Sequence, residues 1–113
     1  MSRLILFRCD GDADIGLGHI VRCLALAEEL QSEYDCRITF AVHRGKTGIE
    51  MIKAKGYPVI TGNAHTDAFS EEEFLRNAVQ QSACNALIMD FREDISLDFL
   101  FSLRKQGIIL VDI

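Results

Sequence analysis

The chain has 113 residues, 49% apolar and 26% charged, with one proline and a formal net charge of −5: enough for one domain with a modest core, and too acidic for general nucleic-acid binding, which requires a basic face. Cys9, Cys23, Cys36 and Cys84 form no C-x-x-C pair, so zinc ligation is not expected, and no apolar run nears the roughly 18 residues of a membrane span. With no secretory signal, the expectation is a cytoplasmic protein with reduced thiols.

Leu4-Ile5-Leu6-Phe7 reads as a short buried strand. It leads into the stretch from Arg8 to Cys23, which carries Asp10, Asp12 and Asp14, then Gly16 and Gly18 around Leu17, then His19. Ile20, Cys23, Leu24, Ala27 and Leu30 fall on one face at helical spacing, which predicts a helix. A glycine loop opening a helix suits a ligand: the backbone can come close where no Cβ intervenes, and first-turn N–H groups favour phosphate or developing negative charge. His19 would sit at or next to the first helical position.

Cys36 to Val42 reads as a second strand by its β-branched and aromatic content. A short helix from Lys46 to Lys55 is stopped by Gly56, and Tyr57 to Thr61 forms a brief strand with Pro58 near its start. Residues 62–69 read as polar loop. Ser70-Glu71-Glu72-Glu73 is a capping box opening a helix that buries Phe74, Leu75, Ala78 and Val79. Ala86 to Met89 is a buried strand ending in Asp90. Leu97, Leu100, Phe101 and Leu103 mark a fourth helix, ended by Gly107, and Ile108 to Val111 is the last strand, followed by Asp112 and Ile113.

Strands and helices alternating in this way predict an α/β, three-layer Rossmann-like domain with a parallel sheet of about five strands. Right-handed crossovers would gather the loops after Arg8, Val42 and Asp90 at the carboxyl edge of the sheet, where such sheets bind ligands. A last strand with no helix after it predicts either a compact minimal domain or the front half of something longer. Three other patterns are weaker. An EF-hand loop counted from Asp10 needs glycine and glutamate where Ile15 and Val21 stand. The dinucleotide fingerprint lacks its third glycine, since Val21 occupies that place. A phosphoryl-accepting receiver domain has the size, but needs an acceptor aspartate where Thr61-Gly62-Asn63 stands, and has no use for a glycine pair followed by histidine.

Arg8-x-Asp10-Gly11, then Ile15-Gly16-x-Gly18-His19-x-x-Arg22-Cys23-Leu24-x-Leu26-Ala27, resembles the opening of the UDP-sugar hydrolases of pseudaminic-acid synthesis and their spore-coat-polysaccharide relatives. Leu87-Ile88-Met89-Asp90 and Leu110-Val111-Asp112 are similar to later strands of that family. The resemblance spans the whole chain but only the N-terminal half of a family member. It implies a GT-B N-terminal domain over residues 1–113, with the C-terminal nucleotide-binding domain absent. It further implies a UDP-linked diacetamido-trideoxy sugar as substrate and neither metal nor other cofactor, while charge and hydropathy already speak against a nucleic-acid or membrane partner. By the same resemblance His19 is the base that activates water at the anomeric carbon, Gly16 and Gly18 shape the loop and Asp10 lies close by; Arg22, on the helix face of His19, and Asp90, at a strand end where sites form, are the further candidate substrate-binding residues. Where the family often has an aromatic hydroxyl just beyond the strand-end aspartate, this chain has Phe91 and Arg92. An interdomain face left bare would favour self-association.

Each residue also has a plainer reading. His19 could cap the helix, Asp10 could bond loop N–H groups, and Arg22, three residues after His19 on the same face, could pair with a loop acid. Asp90 could cap the next turn. His43 and Arg44 read as solvated loop, His65 as solvent-facing and Cys23 as core. Two further functions stay open: a GT-B glycosyltransferase using the same base, and a stand-alone α/β binding or signalling module.

Overall fold

A computed structural model describes residues 2–12, 14–62, 69–90 and 95–113. The five strands are β1 (Leu4–Cys9), β2 (Arg37–Val42), β3 (Val59–Thr61), β4 (Ala86–Asp90) and β5 (Ile109–Asp112). Between them lie α1 (Gly18–Tyr34), α2 (Lys46–Ala54), α3 (Glu71–Ser82) and α4 (Leu97–Lys105). All strand pairs are parallel, in the order β3-β2-β1-β4-β5. A receiver-type sheet would run 2-1-3-4-5; here β3 lies at the edge and β4 takes the place beside β1, which separates the two architectures.

Alternation along β1 builds two cores from one strand. Ile5, Phe7 and Cys9 pack with Ile20, Cys23, Leu24 and Ala27 of α1 and Ile52 of α2. Leu6 faces the other way, with Phe74, Leu75, Ala78 and Val79 of α3 and Phe99 and Leu103 of α4. Phe7 and Phe40, opposite each other in register, stack with centroids 5.0 Å apart, tying β1 to β2. The sheet is thus covered on both faces, as its continuous apolar strands require.

Details differ from the sequence reading at the ends of elements. α1 starts two residues earlier than the apolar periodicity indicates and runs to Tyr34, where Asp35 closes it in a left-handed conformation (φ 53°). In α4 the inward residues are Phe99 and Leu103, whereas Leu97 and Phe101 point to solvent. The helix carries apolar residues on both sides, and periodicity could not say which side meets the sheet. Ser70 caps α3 as expected, its hydroxyl accepting from the Glu73 N–H at 3.3 Å; Ser96 does the same for α4 with Phe99.

Candidate functional site

In this strand order the connections after β1 and β2 run over one face of the sheet, and those after β3 and β4 over the other. Chain direction parts between β1 and β4, and the carboxyl ends of those two strands frame the crevice where ligands of open α/β sheets bind. Cys9 and Asp90 are register partners across it. Residues 10–12 and 14–17 lead from β1 to α1, whose N-cap, Leu17, makes no side-chain cap hydrogen bond. Gly18 and His19 open the helix, leaving first-turn N–H groups without a side-chain acceptor.

His19 Nδ1 lies 2.6 Å from Asp90 Oδ1. Arg22 grips the same carboxylate, Nε donating to Oδ2 at 3.0 Å and Nη2 reaching both oxygens at 2.7 Å. The Cys23 thiol donates to Oδ2 at 3.6 Å. Positions 19, 22 and 23 lie on one side of the first turns of α1, so a single helix face supplies all these donors. Asp90 is 2% exposed, His19 35% and Arg22 55%: a buried carboxylate, a part-exposed imidazole and a more exposed guanidinium. Asp90, which turn-capping could have explained, instead joins β4 to α1. The Arg22 guanidinium holds its proton more firmly than usual because of this hydrogen bond and the Asp90 charge. In the core beneath, the Cys23 thiol and burial together push the Cys9 thiol far up.

The Arg8-x-Asp10 pair proves to be a brace. Arg8 is fully buried, donating to Glu71 through Nε at 2.8 Å and Nη2 at 2.7 Å, and to Asp10 through Nη1 at 2.7 Å. Burial opposes its charge, but Glu71 and Asp10 outweigh that and hold its pKa above the ordinary value. Asp10 Oδ1 also accepts from the backbone N–H groups of His43 and Arg44, at 2.9 and 3.0 Å. Burial pushes the Asp10 carboxyl up; Arg8 and these two N–H groups override it, leaving the carboxyl below its usual range. Asp10 thus ties the loop after β1 to the loop after β2. Asp12 makes an Asx turn, accepting from Asp14 and Ile15 N–H at 2.8 and 2.9 Å.

Glycines divide by job. The Gly11 N–H donates to the Arg44 carbonyl and the Gly11 carbonyl accepts from Gly48. A Cβ on Gly45 (φ 134°) would collide with the Gly11 carbonyl, so Gly11, Gly45 and Gly48 form a close backbone packing that the sequence reading passed over. Gly16 and Gly18 have open space where a Cβ would stand.

Sequence reasoning also missed Glu71 as a partner, having read it only as a first-turn acid. The available signal was Arg8, a cation directly following an apolar strand and in need of a buried carboxylate. His43 stacks on Phe69 with centroids 3.6 Å apart instead of lying in solvent. His65, Phe91 and Arg92 lie outside the described residues.

No group of three or more metal-ligating side chains occurs among the described residues. No helix among them is long and apolar enough to cross a membrane. No family model matches the chain, and no curated protein matches it. Among solved structures, the crystal structure of Acinetobacter baumannii MurG is similar over 99% of this chain and 34% of that one, with a TM-score of 0.64 at 15% sequence identity. This chain therefore spans about a third of the length of the structure it matches. Five parallel strands in this order, four covering helices and that likeness make the fold Rossmann-like, of the GT-B N-terminal domain type.

Proposed function

We propose that this domain supplies the catalytic base of a GT-B-type enzyme acting on a nucleotide sugar, and that the reaction is hydrolysis of a UDP-linked diacetamido-trideoxy sugar of the pseudaminic-acid type. The observation that carries the reading is His19, half-exposed on the first turn of α1 at the β1–β4 crevice, with Asp90 2.6 Å from Nδ1. An imidazole so placed can take a proton from water as the water oxygen attacks the anomeric carbon. The carbon–oxygen bond to the diphosphate breaks, UDP leaves with its bonding pair, and the hydroxylated sugar is released. Gly16 and Gly18 give the substrate room beside the helix, and first-turn N–H groups face developing negative charge. Asp10 and Arg22 serve the site from behind, one bracing the loop and one holding Asp90. In this reading the nucleotide is gripped mainly by a second domain.

A second reading, a glycosyltransferase in which the same base activates a sugar hydroxyl, is favoured by the fold likeness to MurG, a GT-B glycosyltransferase. The two separate in one assay. A polypeptide joining this domain to its nucleotide-binding half is incubated with UDP-activated diacetamido sugars. Free sugar released without an acceptor supports hydrolysis; turnover that waits for an acceptor supports transfer. In either case His19→Asn should lower kcat by about 10²–10⁴ with KM little changed. Undiminished turnover would remove His19 from the mechanism.

A further inference from the structure

We propose that Arg22 is a positioning residue: by requiring Asp90 to be ionised, it places the ring hydrogen of His19 on Nδ1 and leaves Nε2 as the nitrogen that accepts a proton. The inference rests on reading His19 as the base, and adds what decides which face of the ring does the work.

A contact of 2.6 Å between His19 Nδ1 and Asp90 Oδ1 must contain one hydrogen, since two lone pairs at that separation repel. The hydrogen can sit on nitrogen, facing a carboxylate, or on oxygen, facing a bare Nδ1. In the second arrangement Nε2 would carry the ring's hydrogen and could not act as a base. Asp90 is 2% exposed, so its partners are protein groups and not bulk water. Among the described residues the full positive charge on it is Arg22, through Nε at 3.0 Å and Nη2 at 2.7 Å to each oxygen. Such a fork demands acceptors, because all five guanidinium hydrogens are donors and none can be given up. Arg22 Nε, Arg22 Nη2 and the Cys23 thiol at 3.6 Å all reach Oδ2, and Nη2 also reaches Oδ1, so Oδ1 is the less crowded oxygen of the carboxylate. The free direction on Oδ1 is the one that meets Nδ1. Arg22 Nη2 itself lies 3.2 Å from His19 Nδ1, so with Asp90 neutral it would bond that nitrogen directly and stabilise the opposite tautomer. One guanidinium therefore selects between two states of the ring according to whether its carboxylate is charged.

The experiment needs no substrate. In the ¹⁵N-labelled chain, two-bond correlations from the ring carbon-bound protons of His19 report which nitrogen bears hydrogen. Spectra are recorded at mildly alkaline pH, where imidazoles are uncharged. The expected result is a hydrogen-bearing Nδ1 and a lone pair on Nε2 in the parent. Arg22→Met should lose that state, with the hydrogen found on Nε2 in a large share of molecules, and Arg22→Lys should restore most of it. A parent with the hydrogen on Nε2 overturns the proposal, and so does an Arg22→Met spectrum identical to the parent's. Should Arg22→Met cost the fold, Arg22→Gln keeps a donor without a charge and is read by the same criterion. Failure here is distinct from failure of the base assignment: that assignment falls only if His19→Asn leaves turnover intact, whatever the tautomer.

Discussion

Asp10 follows one buried strand and Asp90 ends another, yet their surroundings give them different tasks. Asp10 meets a buried cation and two backbone donors, so its carboxylate braces two loops. Its folded pKa is depressed, so its contribution to stability is present above the unfolded-state value of about 3.9 and is lost as pH falls through the lower folded value. Asp10→Asn should therefore lower the urea midpoint at neutral pH and flatten the acid limb of the stability curve. An unchanged acid limb would show that another carboxylate sets it. Arg8→Met leaves two carboxylates, Asp10 and the buried Glu71, without their cation and should cost about 3–5 kcal/mol in urea unfolding. The glycine–histidine loop and the strand-end acids were legible in the sequence, because local chemistry marks them. Glu71 was not: its partner is 63 positions away, and nothing local separates a first-turn acid that faces solvent from one that turns inward.

Element boundaries followed the same logic. Caps and apolar faces that depend on neighbouring residues, such as Ser70 with Glu73, were readable; the face that α4 turns to the sheet was not, since apolar residues flank it on both sides. The glycine-rich loop was also legible, but not the division of labour within it. Gly45 adopts φ 134° against the Gly11 carbonyl, a conformation and a contact that alanine cannot share. Gly45→Ala should lower stability by about 1–3 kcal/mol in thermal or urea unfolding. Gly18→Ala should behave in the opposite way. The position is helical with open space around it, so stability should hold or rise by up to about 1 kcal/mol, while substrate turnover falls because the new methyl stands where the ligand approaches. A Gly18→Ala enzyme with full turnover would place the ligand elsewhere.

At the scale of the molecule, five of the eight exposed large apolar side chains among the described residues belong to the last two elements and the residue after them: Leu97 and Phe101 on α4, and Ile109, Val111 and Ile113 along and just after β5. The other sheet edge, β3, is only three residues long. An open apolar edge strand pairs readily with another chain, so light scattering should show mass rising with concentration, and Val111→Lys should suppress it. On the proposed function, the chain taken alone should bind UDP only weakly and turn over no UDP-sugar, because one wall of the two-walled cleft which that proposal requires would leave the diphosphate in water. Micromolar UDP binding by calorimetry would mean that the site is complete within these 113 residues.

The place of β4 beside β1 also sets when the His19–Asp90 pair can form as the chain assembles. β1, α1 and β2 can associate through short connections, but His19 meets Asp90 across 71 positions, and that closure carries the larger entropic cost. A folding intermediate holding only the first half would display the loop and the imidazole with no carboxylate to orient the ring. Such a species would be folded around His19 and still chemically mute. In a refolding experiment the His19 tautomer should accordingly mature with the slow, non-local phase, after the α1 amides are already protected from exchange.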